Sequence, residues 1–127
     1  MVTDPIADLL TRLQNASRVR KDSVSLPYSK MKFSIAQVLS KEGYVGNVDK
    51  KKDNSFTIAL SYKNGRAVIT GAKRISKPSR RMYMSVHDLK PVMRGHGLLV
   101  LSTPEGILSG KDARDKRVGG EALFEIW

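Results

Sequence analysis

Two adjacent hydroxyl side chains, Ser102 and Thr103, follow an apolar run at residues 98–101 and precede a turn at Gly106. A short buried strand that ends in hydroxyls places donors and acceptors where the chain turns. Groups of this kind read RNA, whose specific sites are distorted grooves, bulges and unstacked bases. Gly106 and the pair Gly119-Gly120 permit close approach of a backbone. These residues form the first candidate for an RNA-binding site.

The charge of the chain favours the same class of partner. Lys and Arg number 23 against 12 for Asp and Glu, which gives a net charge of +11. A net charge of roughly 2–8 is enough to keep a small domain soluble. The higher charge of this chain attracts polyanions, and nucleic acid is favoured as the partner over an anionic membrane. Between Asp53 and Asp88 every charged residue is a cation: Lys63, Arg66, Lys73, Arg74, Lys77, Arg80 and Arg81. A stretch of one sign is typical of a surface that follows phosphates, with solubility alone as the alternative.

Three further residues extend the candidate RNA surface. Tyr83 follows Arg80 and Arg81 closely, so its ring is available to stack on a base or sugar. The alternative for Tyr83 is a half-buried tyrosine of a sheet. Lys30 and Lys32 fall in the predicted first turn of a helix, where cations oppose the helix dipole unless a phosphate binds there. The alternative for this pair is two solvated lysines.

Signatures of catalysis are nearly absent from the sequence. The chain has no cysteine, which excludes a thiol nucleophile, a disulfide and a cysteine-ligated metal. Gly95-His96-Gly97 lacks the third glycine of a dinucleotide fingerprint. A nuclease that pairs His87 with Asp88 or Glu105 remains the enzyme alternative. We expect no enzyme, no catalytic residue, no cofactor and no small-molecule substrate.

Metal and membrane sites are also not expected. Asp112 and Asp115 share a predicted helix face, but the basic residues around them indicate a solvated helix rather than a metal site. No run of 18 apolar residues is present, so we expect no membrane span. A DNA-binding module is the remaining alternative, and it would rely on Lys30, Lys32 and Gln37 of one helix.

The order of helices and strands predicted along the chain indicates an α+β fold of two small lobes, which position these residues. The first lobe, residues 1–76, reads as helix, strand, helix and hairpin. Asp4-Pro5 opens the first helix and Ser29 caps the second. Their apolar stripes are Ile6, Leu9, Leu10 and Leu13 in the first and Met31, Ile35, Val38 and Leu39 in the second. A short strand is predicted at 23–26, and Asn64-Gly65 is predicted to join strands at 56–62 and 67–75.

The second lobe, residues 77–127, is predicted to be mostly antiparallel β-structure with one short helix. Lys77-Pro78-Ser79 is the predicted linker between the lobes. Strands are expected at 81–84, 98–101 and 121–127. Ser109 and Asp112 have capping-box spacing, which predicts a short helix through Arg117. In the last strand, alternation predicts Ala122, Phe124 and Ile126 on one face and Leu123 and Trp127 on the other.

Several short motifs follow one another along most of the chain: Asp4-Pro5-Ile6-Ala7-Asp8-Leu9-Leu10-Thr11-Arg12, Pro27-Tyr28-Ser29-Lys30-Met31-Lys32, Glu42-Gly43-Tyr44, Val92-Met93-Arg94-Gly95-His96-Gly97, Ser102-Thr103, Asp112-Ala113-Arg114 and Val118-Gly119-Gly120-Glu121. This ordered set resembles the family of the eighth small-subunit ribosomal protein of bacteria and organelles. The loop Ser102-Thr103-Pro104-Glu105-Gly106 departs from the family's usual Ser-Thr-Ser-Lys-Gly, so an anion replaces a cation.

The resemblance implies a structural protein that binds the central domain of small-subunit ribosomal RNA directly and helps assembly. It implies neighbouring small-subunit proteins as further partners and, in some bacteria, repression of the chain's own messenger RNA. It nominates Ser102, Thr103, Gly119, Gly120 and Glu121 as RNA-binding residues, beside the five that the charge argument supports: Lys30, Lys32, Arg80, Arg81 and Tyr83. We expect the cytoplasmic ribosome of a bacterium as the location, with an organellar ribosome as the alternative.

Overall fold

The computed structural model describes residues 4–89 and 97–127, which form two compact units. The N-terminal unit is Pro5–Thr70, and the C-terminal unit joins Met1–Asp4 to Gly71–Trp127. The division therefore comes earlier than the predicted boundary after Ser76. The predicted motif at residues 92–96, with His96, lies outside the described residues.

The N-terminal unit contains two helices and five short strands: α1 (Pro5–Arg18), β1 (Ser23–Pro27), α2 (Lys30–Lys41), β2 (Val45–Lys50), β3 (Ser55–Leu60), β4 (Tyr62–Lys63) and β5 (Arg66–Ala67). The first three strands form an antiparallel sheet in the order β1-β3-β2, and β4 pairs with β5. Helix α1 packs on β1 and α2, and helix α2 packs on β2. The predicted helix, strand, helix and hairpin are all present.

The two helices begin where their caps predict, and most of their apolar residues are buried. The whole predicted stripe of α1 is buried. The Ser29 side chain accepts a hydrogen bond from the Lys32 amide at 3.2 Å, as an N-cap does. In α2, Ile35 and Leu39 are fully buried, but Met31 is 45% exposed. The predicted core position of Met31 is wrong, because the first turn of α2 lies at the margin of the core.

The hairpin turn is confirmed, but the long return strand predicted at 67–75 is wrong. Asn64 and Gly65 have φ values of 54° and 75°, as a type I′ turn requires. The return strand β5 ends at Ala67, and residues from Gly71 onward pair elsewhere. Gly71 and Trp127 exchange two backbone hydrogen bonds of 2.9 Å. The segment from Gly71 onward therefore pairs with the C-terminal strand instead of extending the hairpin.

Among its described residues, the C-terminal unit contains five strands and two short helices: β6 (Ala72–Arg74), β7 (Tyr83–Met84), a 3-10 helix (Val86–Asp88), β8 (Leu98–Thr103), β9 (Gly106–Ser109), α3 (Gly110–Asp115) and β10 (Gly120–Ile126). The strands are antiparallel in the order β6-β10-β8-β9, and β7 also pairs with β10. The α+β class is therefore confirmed. In the part of the chain that the structure describes, no helix has the length and apolar character needed to cross a membrane.

Strand β10 has an irregularity that breaks the predicted alternation. Ala122 lies opposite Leu101, whereas Phe124 lies opposite Val100, so Leu123 is an extra residue between them. Because successive residues of β8 point to opposite faces, Ala122 and Phe124 do so too. The prediction that they share a face is wrong. Ala122, Leu123 and Phe124 are each at most 1% exposed, so both faces of β10 are covered at these positions.

Candidate functional site

One row of side chains crosses the C-terminal sheet from β7 through β10 to β8. The register pairs Glu121 with Tyr83 on one side and with Ser102 on the other. Residues directly opposite each other in an antiparallel pair share a face, so these three side chains lie together on one surface. Tyr83 is 71% exposed, and the Ser102 hydroxyl has no hydrogen-bond partner among the described residues. We call Tyr83, Glu121 and Ser102 the polar row.

Glu121, the centre of the polar row, is held by two donors from the same unit. The Ser76 hydroxyl donates to Oε2 of Glu121, and Arg81 Nη1 donates to the same oxygen at 3.0 Å. The Glu121 side chain is 15% exposed, whereas that of Arg81 is 52% exposed. Burial by itself would raise the pKa of the Glu121 carboxyl, but the bonds from Ser76 and Arg81 outweigh it and hold the pKa below its usual value. Glu121 is therefore a charged carboxylate that two hydrogen bonds hold in a fixed position on the sheet.

Ser76 closes the base of a short loop at residues 77–81. The chain leaves the edge of β10 where the Ser76 amide donates to the Ala122 carbonyl, and it returns where the Met82 carbonyl accepts from the Ala122 amide. The Met82 amide also donates to the Ser76 hydroxyl at 3.1 Å. Ser76 is fully buried. Sequence reasoning missed this residue, because a lone serine beside a predicted linker carries no signal of burial.

Arg80 and Arg81 point to different surroundings. Arg81 joins the polar row through Glu121. Arg80 instead lines a groove together with Met82 and Met84 on the return arm of the loop. Alternation of an extended chain explains the split, since residues two apart share a side. The structure therefore gives different surroundings to two arginines that are adjacent in the sequence.

The Thr103 hydroxyl has a structural partner on each side. It donates to the Gly106 carbonyl at 2.8 Å and accepts from the Glu105 amide at 3.1 Å, which closes the turn between β8 and β9. Its neighbour Ser102, on the polar row, has a hydroxyl to which no residue in the described part of the chain is hydrogen-bonded. Of the two hydroxyls singled out in the sequence, one shapes the turn and the other is available to a partner.

The two adjacent glycines are required by the packing of the sheet itself. A Cβ on Gly120 would lie 2.2 Å from the carbonyl oxygen of Ser102. A Cβ on Gly119 would lie 2.3 Å from that of Met84. Such distances are far inside van der Waals contact, so only glycine lets β10 enter between its neighbours. The close backbone approach predicted at this pair is an approach of the chain to itself.

Lys30 and Lys32 lie in the N-terminal unit, in the first turn of α2. Lys30 is exposed, and Lys32 is partly buried. Their neighbourhood also carries Lys50, whose ammonium lies 4.3 Å from the centroid of the Tyr28 ring. This cation–π contact was not anticipated from the sequence.

Two of the acidic residues considered for catalysis or metal binding, Asp88 and Asp112, take part in helix caps. Oδ2 of Asp88 accepts from both the amide and the hydroxyl of Ser85, at 3.0 Å each, which caps the 3-10 helix. The Asp112 amide donates to the Ser109 hydroxyl at 3.1 Å, as the predicted cap of α3 requires. Within residues 4–89 and 97–127, no group of three or more metal-ligating side chains gathers at one point.

Three bacterial relatives of this chain are described as small ribosomal subunit protein uS8. The protein of Nitratidesulfovibrio vulgaris (strain Miyazaki F) is 49% identical over the full length of both chains. That of Halothermothrix orenii is 48% identical over 99% of this chain and 98% of its own. That of Geobacillus kaustophilus is 44% identical over all of this chain and 99% of its own. The class of protein is therefore that of the bacterial ribosomal proteins.

The model of the family described as ribosomal protein S8 matches residues 4–127. The chain belongs to this family, as the motifs of the sequence predicted. It is a structural component of the small ribosomal subunit and not an enzyme, and it works in the cytoplasmic ribosome. The family therefore overturns the nuclease alternative.

Proposed function

We propose that this chain binds the central domain of small-subunit ribosomal RNA directly and holds that RNA in place during assembly. The observation that carries the proposal is the polar row, in which an exposed aromatic ring and a free hydroxyl flank a fixed carboxylate. An aromatic face beside hydrogen-bonding groups suits unstacked bases and riboses, which are the sequence-specific features of folded RNA. The residues assigned to RNA binding, by contact or by shaping the site, are Ser102, Thr103, Gly119, Gly120, Glu121, Arg80, Arg81, Tyr83, Lys30 and Lys32.

These residues divide into three roles under the proposal. Tyr83 stacks on a base, and Ser102 donates or accepts toward a base edge or ribose. Glu121 and Thr103 hold the sheet and the turn in shape, and the two glycines let the strands close. Arg80, Arg81 and the two lysines supply phosphate contacts that raise affinity without reading sequence.

A filter-binding titration tests the proposal. Full-length chain is titrated against a labelled central-domain fragment of small-subunit ribosomal RNA and against an arbitrary hairpin of equal length, over a series of salt concentrations. We expect tighter binding to the ribosomal fragment at every salt concentration, with a steep salt dependence for both RNAs. Equal binding to the two RNAs at physiological salt would refute the proposal.

We further propose that the same surface represses translation of the chain's own messenger RNA. A surface that recognises RNA by shape accepts any RNA with a matching fold, so one site serves both molecules. The test is translation of that messenger in a cell-free extract with added chain. We expect repression that an excess of the ribosomal RNA fragment relieves, and repression that persists under that excess would contradict a shared site.

Further contacts with neighbouring small-subunit proteins are part of the proposal. Cross-linking within assembled small subunits identifies these partners. We expect cross-links to other small-subunit proteins from this chain. A chain that cross-links to RNA alone would contradict this part.

A further inference from the structure

A groove of about 350 Å³ lies in the C-terminal unit beside the loop at residues 77–81. Its lining comes mainly from two short stretches of alternate residues: Lys73, Ile75 and Lys77 on the outgoing arm, and Arg80, Met82 and Met84 on the return arm. Arg74 and Glu125 complete the lining. The groove is separate from the polar row, because Arg81 and Tyr83 fall on the other side of the return arm.

One end of the groove carries two cations in a geometry that is unfavourable without an anion. Lys77 and Arg80 exchange both backbone hydrogen bonds, at 2.9 and 3.0 Å, around a two-residue turn. Side chains of such a pair lie close together on one face, and like charges directly opposite each other are destabilising. Neither side chain has an acidic partner among the described residues.

The other cations of the groove are less free. Arg74 is 10% exposed and is committed to Asp4 at 2.9 Å and to the Leu123 carbonyl. Lys73 lies opposite Glu125 in the register of β6 and β10, so a carboxylate accompanies it. Of the cations in the groove, Lys77 and Arg80 are therefore the pair best placed to hold an anion.

The floor of the groove is apolar and firmly held. Ile75 and Met84 pack against the buried cluster that contains Leu99, Leu101 and Ala122. Met82 is partly buried beside them. Thioether and aliphatic groups of this kind provide a polarizable surface for a flat ring. Two cations and an apolar floor beside them match the two halves of a nucleotide, its phosphate and its base.

We infer that this groove binds one unstacked nucleotide of a single RNA strand, with the phosphate on Lys77 and Arg80 and the base against Met82 and Met84. The inference rests on the proposed RNA function and adds a contact outside the polar row. Because β7 carries Tyr83 toward one face and Met84 toward the other, a strand crossing this edge of the sheet contacts both sites.

Methyl resonances of methionine test the inference in the full-length chain. Chain labelled with [methyl-13C]methionine is titrated separately with a single-stranded RNA hexamer, with adenosine monophosphate, with inorganic phosphate and with an acidic hexapeptide. We expect saturable shifts of the Met82 and Met84 methyls with the hexamer and none at Met31, which lies in the other unit. Phosphate and the free nucleotide should bind far more weakly than the hexamer, since each supplies fewer contacts.

A matched pair of variants connects the shifts to the cations. Lys77→Gln/Arg80→Gln removes the proposed phosphate contacts, whereas Lys111→Gln/Arg114→Gln removes an exposed lysine and arginine of the same spacing from α3. We expect the first variant to bind the hexamer about tenfold more weakly and the second to match wild type. Both double variants replace only exposed side chains, so we expect each of them to keep the fold.

Four outcomes would overturn the inference: silent Met82 and Met84 methyls, equal loss in both variants, equally tight binding of free phosphate or adenosine monophosphate, or tighter binding of the acidic peptide. The last would indicate a protein partner in the groove. If any of these occurs while wild type still prefers the ribosomal fragment in filter binding, the groove assignment fails and the proposed function stands. If that preference is missing, the proposed function itself fails.

Discussion

Arg81 donates a 3.0 Å hydrogen bond from Nη1 to Oε2 of Glu121, and this ion pair joins the loop at residues 77–81 to β10. Half of the Arg81 side chain is exposed, so the charge pair alone contributes little to stability. The buried hydroxyl of Ser76 donates to the same oxygen, and this hydrogen bond stabilises the position of Glu121 more than the exposed ion pair does. The polar row thus depends on Ser76, a buried residue that lies outside the row itself.

Replacing Ser76 by Ala should destabilise the chain by about 1–3 kcal/mol. The change leaves the Met82 amide without its acceptor and removes one donor from the partly buried Glu121 carboxylate. Urea denaturation measures the free energy of unfolding. Ser79→Ala, at the exposed tip of the same loop, is the control and should change it by less than about 0.5 kcal/mol. Equal effects of the two changes would contradict the role given to Ser76.

The stability contributed by Glu121 should depend on pH. The pKa of its carboxyl in the folded chain lies below the ordinary value of 4.5. The charged carboxylate therefore stabilises the fold above that value, and the contribution is lost as the pH falls through the folded pKa. The unfolding free energy of wild type minus that of Glu121→Gln should shrink as the pH is lowered from about 7 to about 3. A difference that stays constant over this range would show that the carboxylate is not held as described.

Replacing Gly120 by Ala should destabilise the chain by several kcal/mol, on the order of 3 or more, because the new methyl group meets the Ser102 carbonyl. Thermal unfolding followed by circular dichroism checks this. Gly43→Ala serves as the comparison, since its strain comes from a φ of +84° and nothing lies within 4 Å of the added carbon. A mild effect at Gly120 would mean that the pair serves RNA contact alone.

Replacing Thr103 by Val should lower the preference for the ribosomal fragment over an arbitrary hairpin. Valine keeps the shape of threonine but loses both bonds that close the turn beside Ser102. Thr103→Ser keeps the hydroxyl and should retain the preference. Competition filter binding measures it, and the salt slope should stay the same because no phosphate contact is lost. A flatter salt slope for Thr103→Val would assign this residue to the phosphate contacts instead.

Replacing Tyr83 by Ala should weaken binding of the ribosomal fragment by about 1–3 kcal/mol, which is the contribution of one base stacked on an aromatic ring. The ring is 71% exposed, so the unfolding free energy should be unchanged. Tyr83→Phe keeps the stacking face and should bind like wild type. Calorimetric titration measures the affinities. Equal affinity of Tyr83→Ala and wild type would remove Tyr83 from the site.

Local patterns predicted much of the fold. Caps and apolar stripes located α1 and α2, and Asn64-Gly65 located the hairpin turn. Strand β2 was missed because its sequence, Val-Gly-Asn-Val-Asp-Lys, is mostly polar and only Val45 is buried. The pairing of β6 with β10 could not be predicted either, since it joins segments about fifty residues apart. The extra residue Leu123 in β10 has no signal in an alternating pattern.

The residues of the candidate site were predicted better than their roles. Tyr83, Glu121 and Ser102 were all singled out, and the register brings them together. Ser76 was not, because its importance comes from burial and from two hydrogen bonds to distant parts of the unit. The separation of Arg80 from Arg81 depends on the pairing of Lys77 with Arg80, which a linker prediction could not include.

Ultraviolet cross-linking of the complex with the central-domain RNA fragment, followed by sequencing of the cross-linked peptides, tests the central claim most directly. The polar row predicts a cross-link at Tyr83 that is absent from the complex with an arbitrary hairpin. Cross-links confined to Tyr28 or Tyr62 of the N-terminal unit, with none at Tyr83, would contradict the account.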